Sequence, residues 1–247
     1  MKFPHALFLL PLLSLAAGSL HSQETAPAPA AADGGEKLLR IQVEWIEVEA
    51  LQMTELLREG AASDTALRES VQQLIEDRDA TLVETALVTA RSGQRAKVES
   101  IHEHTYPTEF QAPKVINPEK EKGSKTVLIL PHPTAFETRN LGVTLEVDPV
   151  LAADGKTIDL NLAPELVYLV GEQSWAEYEG DLGTASTRTP SIYTAKTTTQ
   201  VATTDGEYCL LSAQSPQNAE TGMTDGSRKL MAFVRVDVVS VSPGTNL

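Results

Sequence analysis

The sequence predicts a mainly β protein with minor α: one antiparallel domain of β-hairpins, with one or two short helices near its amino end. Three observations carry that reading. Apolar and polar residues alternate with period two in separate runs between Ile41 and Val241. Asp-Gly, the turn dipeptide that suits the twist of paired strands, stands between such runs at Asp154-Gly155 and Asp205-Gly206. Helical spacing of apolar residues is confined to the region before Asp79.

Taken in order, Lys2 precedes a short apolar run, Ala6 to Ala17, interrupted by Pro11. A basic start, a short apolar stretch and then small residues predict a signal peptide over 1–22, cleaved after Ser19 or Ser22. The run is short for a membrane-spanning helix. Residues 23–37, rich in Ala, Pro and Gly, read as a flexible leader, and the β domain is expected over 38–242. Ile41, Val43 and Trp45 alternate with Gln42 and Glu44, a strand pattern. Two helix-like stretches follow. The second places Leu67, Val71, Leu74 and Ile75 on one face, with Asp64 as its expected N-cap.

Thr81 to Ala90 is rich in β-branched residues and ends at Ser92-Gly93, which predicts a hairpin with Gln94 to Thr105. Residues 111–135 carry several prolines and Glu119-Lys-Glu-Lys122, and read as an exposed loop around Val127 to Leu130. Val143 to Val147 and Ile158 to Leu162 alternate on either side of Asp154-Gly155, a hairpin by every local criterion. The second Asp-Gly separates Lys196–Thr203 from Glu207–Ala213. In the last run, Leu230, Ala232, Val234, Val236 and Val238 share one face, while Met231, Phe233 and Val239 share the other with Arg235 and Asp237. A strand apolar on both sides is central in its sheet or packed on two surfaces.

Charge and motifs narrow the function. With 34 acidic against 20 basic residues the formal charge is −14, which disfavours contact with nucleic-acid backbones. The one cysteine, Cys209, has no disulfide partner within the chain and reads as a small hydrophobe in a strand. The sequence lacks Gly-x-Ser-x-Gly, Ser-x-x-Lys, His-Glu-x-x-His and a phosphate-cradling glycine loop. We therefore expect no enzyme, no catalytic residue and no cofactor. His102 and His104 would share one strand face, but no third ligand stands nearby, so solvent-facing histidines on an edge strand are expected rather than a metal site. Glu44, Glu47 and Glu49 match no calcium loop and are expected as a solvated face. Trp175 and Tyr178 lie in a stretch, 172–188, rich in Gly, Ser and Thr and expected to be a loop. They are either anchors for a partner or membrane contact, or side chains folded back on the core.

The order of these runs resembles a known family. Val83 to Ser100, with Thr89-Ala-Arg-Ser-Gly-Gln-Arg-Ala96 at its centre, is similar to a strand-turn-strand pattern of the secretins. Leu141-Gly-Val-Thr-Leu-Glu-Val-Asp-Pro149 with Asp154-Gly155 and Ile158–Leu162 resembles the hairpin of the secretin core. Thr197-Thr-Thr-Gln-Val201 with Asp205-Gly206 is similar to a later secretin element, and Gln42 to Val48 to the opening strand. The resemblance spans about residues 41–241 in the family's order. It implies an exported envelope protein of type II or type III secretion or type IV pilus machinery, a homo-oligomer whose subunits share a β-barrel in the outer membrane. Its partners would be copies of itself, other secretion or pilus components and the outer membrane. Because the leader runs directly into the opening strand, a reduced relative without the preceding periplasmic modules is expected. The alternative is a monomeric periplasmic β scaffold or binding module that uses residues 172–188 as its contact surface.

Overall fold

The computed structural model describes residues 36–60, 62–116, 127–180, 183–218 and 220–241. The expected signal peptide, most of the leader, residue 242 and Glu119 to Lys122 lie outside the described residues. The chain is mainly β with two helices: β1 (Lys37–Glu49), α1 (Ala50–Glu59), α2 (Asp64–Asp77), β2 (Thr81–Arg91), β3 (Ala96–Gln111), β4 (Lys114–Ile116), β5 (Val127–Ile129), β6 (His132–Leu151), β7 (Thr157–Gly180), β8 (Gly183–Lys196), β9 (Thr199–Thr204), β10 (Tyr208–Gln214) and β11 (Arg228–Ser240). A first antiparallel sheet has the order β10-β11-β1-β2, and a second the order β3-β6-β7-β8, with β9 also on β7. The small β4–β5 pair stands apart.

The two sheets pack face to face. Leu39, Ile41, Val43 and Trp45 of β1 and alternate residues of β11 from Leu230 to Val236 meet Val143, Leu145 and Val147 of β6 and Ile158, Leu160 and Leu162 of β7 in one buried cluster. The other side of the first sheet buries Ile46, Val48, Met231 and Phe233 beneath Leu67 and Val71 of α2. The result is three layers, helices on sheet on sheet. β11, between β10 and β1, is apolar on both faces because, like β1, it contributes to both clusters.

Four local expectations are corrected. β2 pairs with β1 and β3 with β6, so Ser92-Gly93 is a corner between sheets rather than a hairpin turn. The corner is held over the second sheet because the Gly93 N–H donates to the Pro149 carbonyl at 2.7 Å. Ser63, not Asp64, caps α2: its Oγ accepts the Ala66 N–H at 3.2 Å, which leaves the Asp64 carboxylate to accept the Leu210 N–H of β10. Glu44 is buried rather than solvated, because its face of β1 lies under α2, where Arg68 Nε donates to it at 2.7 Å. Finally, 172–180 and 183–188 belong to the strands β7 and β8 rather than to a loop, since the two runs pair with each other from Glu165–Lys196 outward.

β7 changes partner along one side, from β9 up to Leu162 to β8 from Glu165. Pro164, which has no N–H to give a neighbour, sits at that change. The turns at Gly93, Gly155 and Gly206 gather at one end of the sandwich, where the Asp205 N–H donates to the Lys156 carbonyl and the Val241 N–H to Glu36.

The Asp154 turn makes the stability of the fold depend on pH. Its carboxylate accepts the Thr157 hydroxyl at 2.6 Å and the Lys156 and Thr157 amides at 2.9 Å. These bonds, the Thr157 hydroxyl first, hold its pKa down to about 2 from 3.8. The folded value lies below the unfolded one, so the stabilisation is complete above 3.8 and is lost as pH falls through about 2. We expect the thermal midpoint of the protein to exceed that of Asp154→Ala at neutral pH, and the difference to shrink across that acid window. A difference constant down to pH 2 would contradict this role.

Candidate functional site

The feature that distinguishes this sandwich is how far its second sheet outruns its first. β6 and β7 have 20 and 24 residues, and each is buried over only one half. In β6 the buried alternation Val143, Leu145, Val147, Pro149 stops at Gly142, and in β7 it stops after Leu166. Among the described residues, the parts of β3, β6, β7 and β8 beyond this level carry no buried side chain. Cross-strand polar pairs hold them instead. Thr105 and Thr138 share a hydroxyl bond at 3.0 Å, the Tyr106 hydroxyl donates to Glu137 at 3.2 Å, and Arg188 pairs with Glu177 at 3.3 Å. Threonine and tyrosine favour such a pleated, half-exposed surface.

At the base of this projection stands Gly142, with φ +122°. The Ser100 carbonyl oxygen of β3 occupies the space that a Cβ there would need, with Ser100 C and Ile101 Cα at 3.1 and 3.2 Å. Only glycine fits both the angle and the approach.

The projecting sheet has two outer edges. β3 forms one over 16 residues and β8 the other over 14. Among the described residues neither edge pairs with a further strand, and no amide of either donates to a side chain. Lys97, Glu99, Glu103, Arg188 and Lys196 place charges along them, a pattern that discourages indiscriminate pairing.

Trp175 and Tyr178 both lie on β7 in the projection. Trp175 is 69% exposed, and its Nε1–H donates to Thr189 Oγ on β8 at 2.8 Å. Tyr178, 39% exposed, lines an apolar cavity of about 450 Å³ with Phe110, Leu128, Leu130, Pro131 and Ala185. The two aromatics are not brought into one site, since Trp175 does not line that cavity. Sequence reasoning missed Phe110 and Ala185. The short apolar run Val127–Leu130 was the one signal of the cavity's far wall.

His102 and His104 lie on the edge strand β3, and the His104 ring stacks on Tyr106 at 6.1 Å. Among the described residues, no three His, Cys, Asp or Glu side chains gather closely enough to hold a metal ion. Cys209 is half-buried in β10, and burial pushes its thiol pKa up, away from the reactive thiolate. Among the described residues no helix is long and apolar enough to cross a membrane.

Residues 73–220, more than half of the chain, match the family model described as Secretin, bacterial type II and III secretion system protein. The chain belongs to the secretin family. Among solved structures, this secretin is similar to the type III injectisome secretin InvG of Salmonella, at 12% identity over 87% of this chain and 67% of that one, with TM-score 0.37. It is also similar to Aeromonas hydrophila ExeD, at 11% identity over 84% of this chain and 49% of that one, with TM-score 0.39. A third is the type II secretin GspD of Escherichia coli K12, at 10% identity over 83% of this chain and 50% of that one, with TM-score 0.36. This secretin thus spans about half the length of the ExeD and GspD chains. Among curated protein sequences none matches it.

Proposed function

We propose that this secretin is exported to the bacterial envelope, with 1–22 as its signal peptide and 23–37 as its leader. There it assembles with copies of itself into a ring, in or beside a type II or III secretion or type IV pilus assembly. Its role is structural rather than catalytic. The observation that supports this reading is the second sheet, antiparallel and ordered β3-β6-β7-β8, whose outer strands β3 and β8 pair with no further strand among the described residues. Because the four strands alternate in direction, β3 and β8 of one copy run oppositely. The β3 edge of one copy laid beside the β8 edge of the next therefore continues the antiparallel order without a break. Repeated around a ring, this pairing leaves no edge open.

Light scattering on the gently extracted protein, in detergent, tests the reading. A mass of many subunits is expected, and the mass of a single subunit, below the 26.6 kDa of the full chain once 1–22 is removed, would overturn it. Trp175 and Tyr178, on the free part of the sheet, supply contacts to a partner component or to the membrane. Trp175→Ala should weaken capture of envelope partners and leave the thermal midpoint within about 1 °C, as an exposed side chain away from the core predicts. Undiminished capture would remove Trp175 from the contact surface.

A further inference from the structure

We propose that the first turn of α2 locks the outer edge of β10, so that strand pairing between copies is confined to the second sheet. The consequence for assembly rests on the function proposed above, whereas the lock is a property of a single copy.

The first sheet poses the same problem as the second. It has four antiparallel strands, ordered β10-β11-β1-β2, so β2 of one copy laid beside β10 of another would also continue it. The edges are stacked by flank. β2 runs into β3 through the Ser92-Gly93 corner, which puts those two edges on one side. On the other side β9 runs into β10, the Tyr193 hydroxyl of β8 donates to the Ser215 carbonyl just past β10, and Thr197 and Ser212 share a hydroxyl bond at 2.8 Å. Copies that meet through β3 and β8 therefore bring β2 toward β10 as well.

What differs is the state of the edge amides. In β10 the Tyr208 N–H donates to Thr65 Oγ at 2.9 Å and the Leu210 N–H donates to an Asp64 carboxylate oxygen at 2.8 Å. The Thr65 hydroxyl in turn donates to Glu207. In β2 the Thr85 N–H donates to the carboxylate of Glu84. The edges of the second sheet have no such side-chain acceptors among the described residues. A strand added to β10 would have to displace a carboxylate and a hydroxyl that already satisfy its amides, and would meet the body of α2.

The lock is itself anchored. Arg68, one turn beyond Thr65, donates to Glu44 of β1 at 2.7 Å, and its guanidinium stands 5.5 Å from the Tyr208 ring centre. Arg235 stands 5.5 Å from the same ring, and Phe233 meets it edge-on. The strand and the helix turn that covers it are thus gripped by the same residues. In an assembly, the second sheet would run on from subunit to subunit while each first sheet ends at its own helix.

The double variant Asp64→Ala with Thr65→Ala tests this in the full chain, beside Asp64→Asn with Thr65→Ser, which keeps an acceptor at each position. Hydrogen exchange at Tyr208 and Leu210 should quicken about tenfold in the alanine variant alone. Its mass distribution should broaden to species heavier than those of the parent. Unchanged exchange would overturn the lock, and quicker exchange with an unchanged mass would overturn its role in confining pairing. If the parent itself runs as a single subunit, the ring reading fails, yet new association in the alanine variant would still uphold the lock. Should that variant lose its helical signal, Thr65→Val, which removes only the hydroxyl, makes the same test at Tyr208.

Discussion

Gly142→Ala should destabilise the protein by about 3 kcal/mol or more, the upper range for a non-glycine residue held in an unfavourable backbone region against a backbone contact. The added methyl meets the Ser100 carbonyl, which is fixed because Ser100 pairs with Val143 in the β3–β6 ladder. Relief would require the two strands to part at the level where the buried half of the sheet gives way to the projection. For a domain of this size, that free energy corresponds to a fall of roughly 10 °C in thermal midpoint. Gly93→Ala is the control. It also replaces a glycine of positive φ, at +75°, but the new Cβ has no heavy atom within 4 Å. Its loss should be about 1 kcal/mol, the backbone term alone. Equal losses for the two variants would show that the approach of Ser100 does not matter.

Arg68→Ala should cost about 3 to 5 kcal/mol, the expected penalty for stranding one member of a buried ion pair. Glu44 and Arg68 are only 6% and 7% exposed, and with Arg68 gone the Glu44 carboxylate keeps Gln42, at 2.7 Å, as its one remaining side-chain donor. Glu44→Ala should be similarly damaging, because the guanidinium would retain Gln72 at 3.1 Å but no anion. Replacing both, Arg68→Met with Glu44→Leu, should recover most of the loss, since neither charge is then buried alone. Urea unfolding of the parent and the three variants compares these losses. A single-variant loss below about 1 kcal/mol would mean that the pair behaves as a surface ion pair.

The same pair marks what the sequence could and could not disclose. Arg68 lies 24 residues from Glu44, and nothing in either residue's surroundings announces that the helix will fall across that face of β1. An acidic run on a strand looks solvated until its cover is known. By contrast β11 was legible in full, because a strand that serves two cores displays apolar residues at both parities. The hairpin of β6 and β7 was legible because its alternation and its Asp-Gly turn agree. Ser92-Gly93 was misread for the opposite reason: a tight corner between sheets and a hairpin turn use the same residues, and only the partner strands distinguish them.

The projecting half of the sheet left no periodic trace. Gly171 to Gly180 and Thr184 to Ser191 are exposed or half-buried throughout, so no burial rhythm marks them as strands, and their Gly, Ser and Thr content suggested a loop. Trp175 and Tyr178 stood out by residue type, but the cavity beside Tyr178 is completed by Phe110 and Leu128, far away in the chain. Of the open edges only β3 was legible, through His102 and His104, which were expected on an edge strand; the β8 edge left no sign. Which strand is outermost is a property of sheet order, and no residue of β8 encodes it alone.

The chain enters and leaves the sandwich at the end pinned by the Gly93, Gly155 and Gly206 turns, so none of the projection's described strands carries a terminus of the domain. Stature and foundation are therefore separate variables. From Gly171 to Gly180 the second sheet rises roughly 30 Å, and one residue added to each paired strand would raise it by about 3.4 Å with no change to the buried clusters. Relatives of different height could be built on one base, and the length of β7 is the ruler by which such variation would be read.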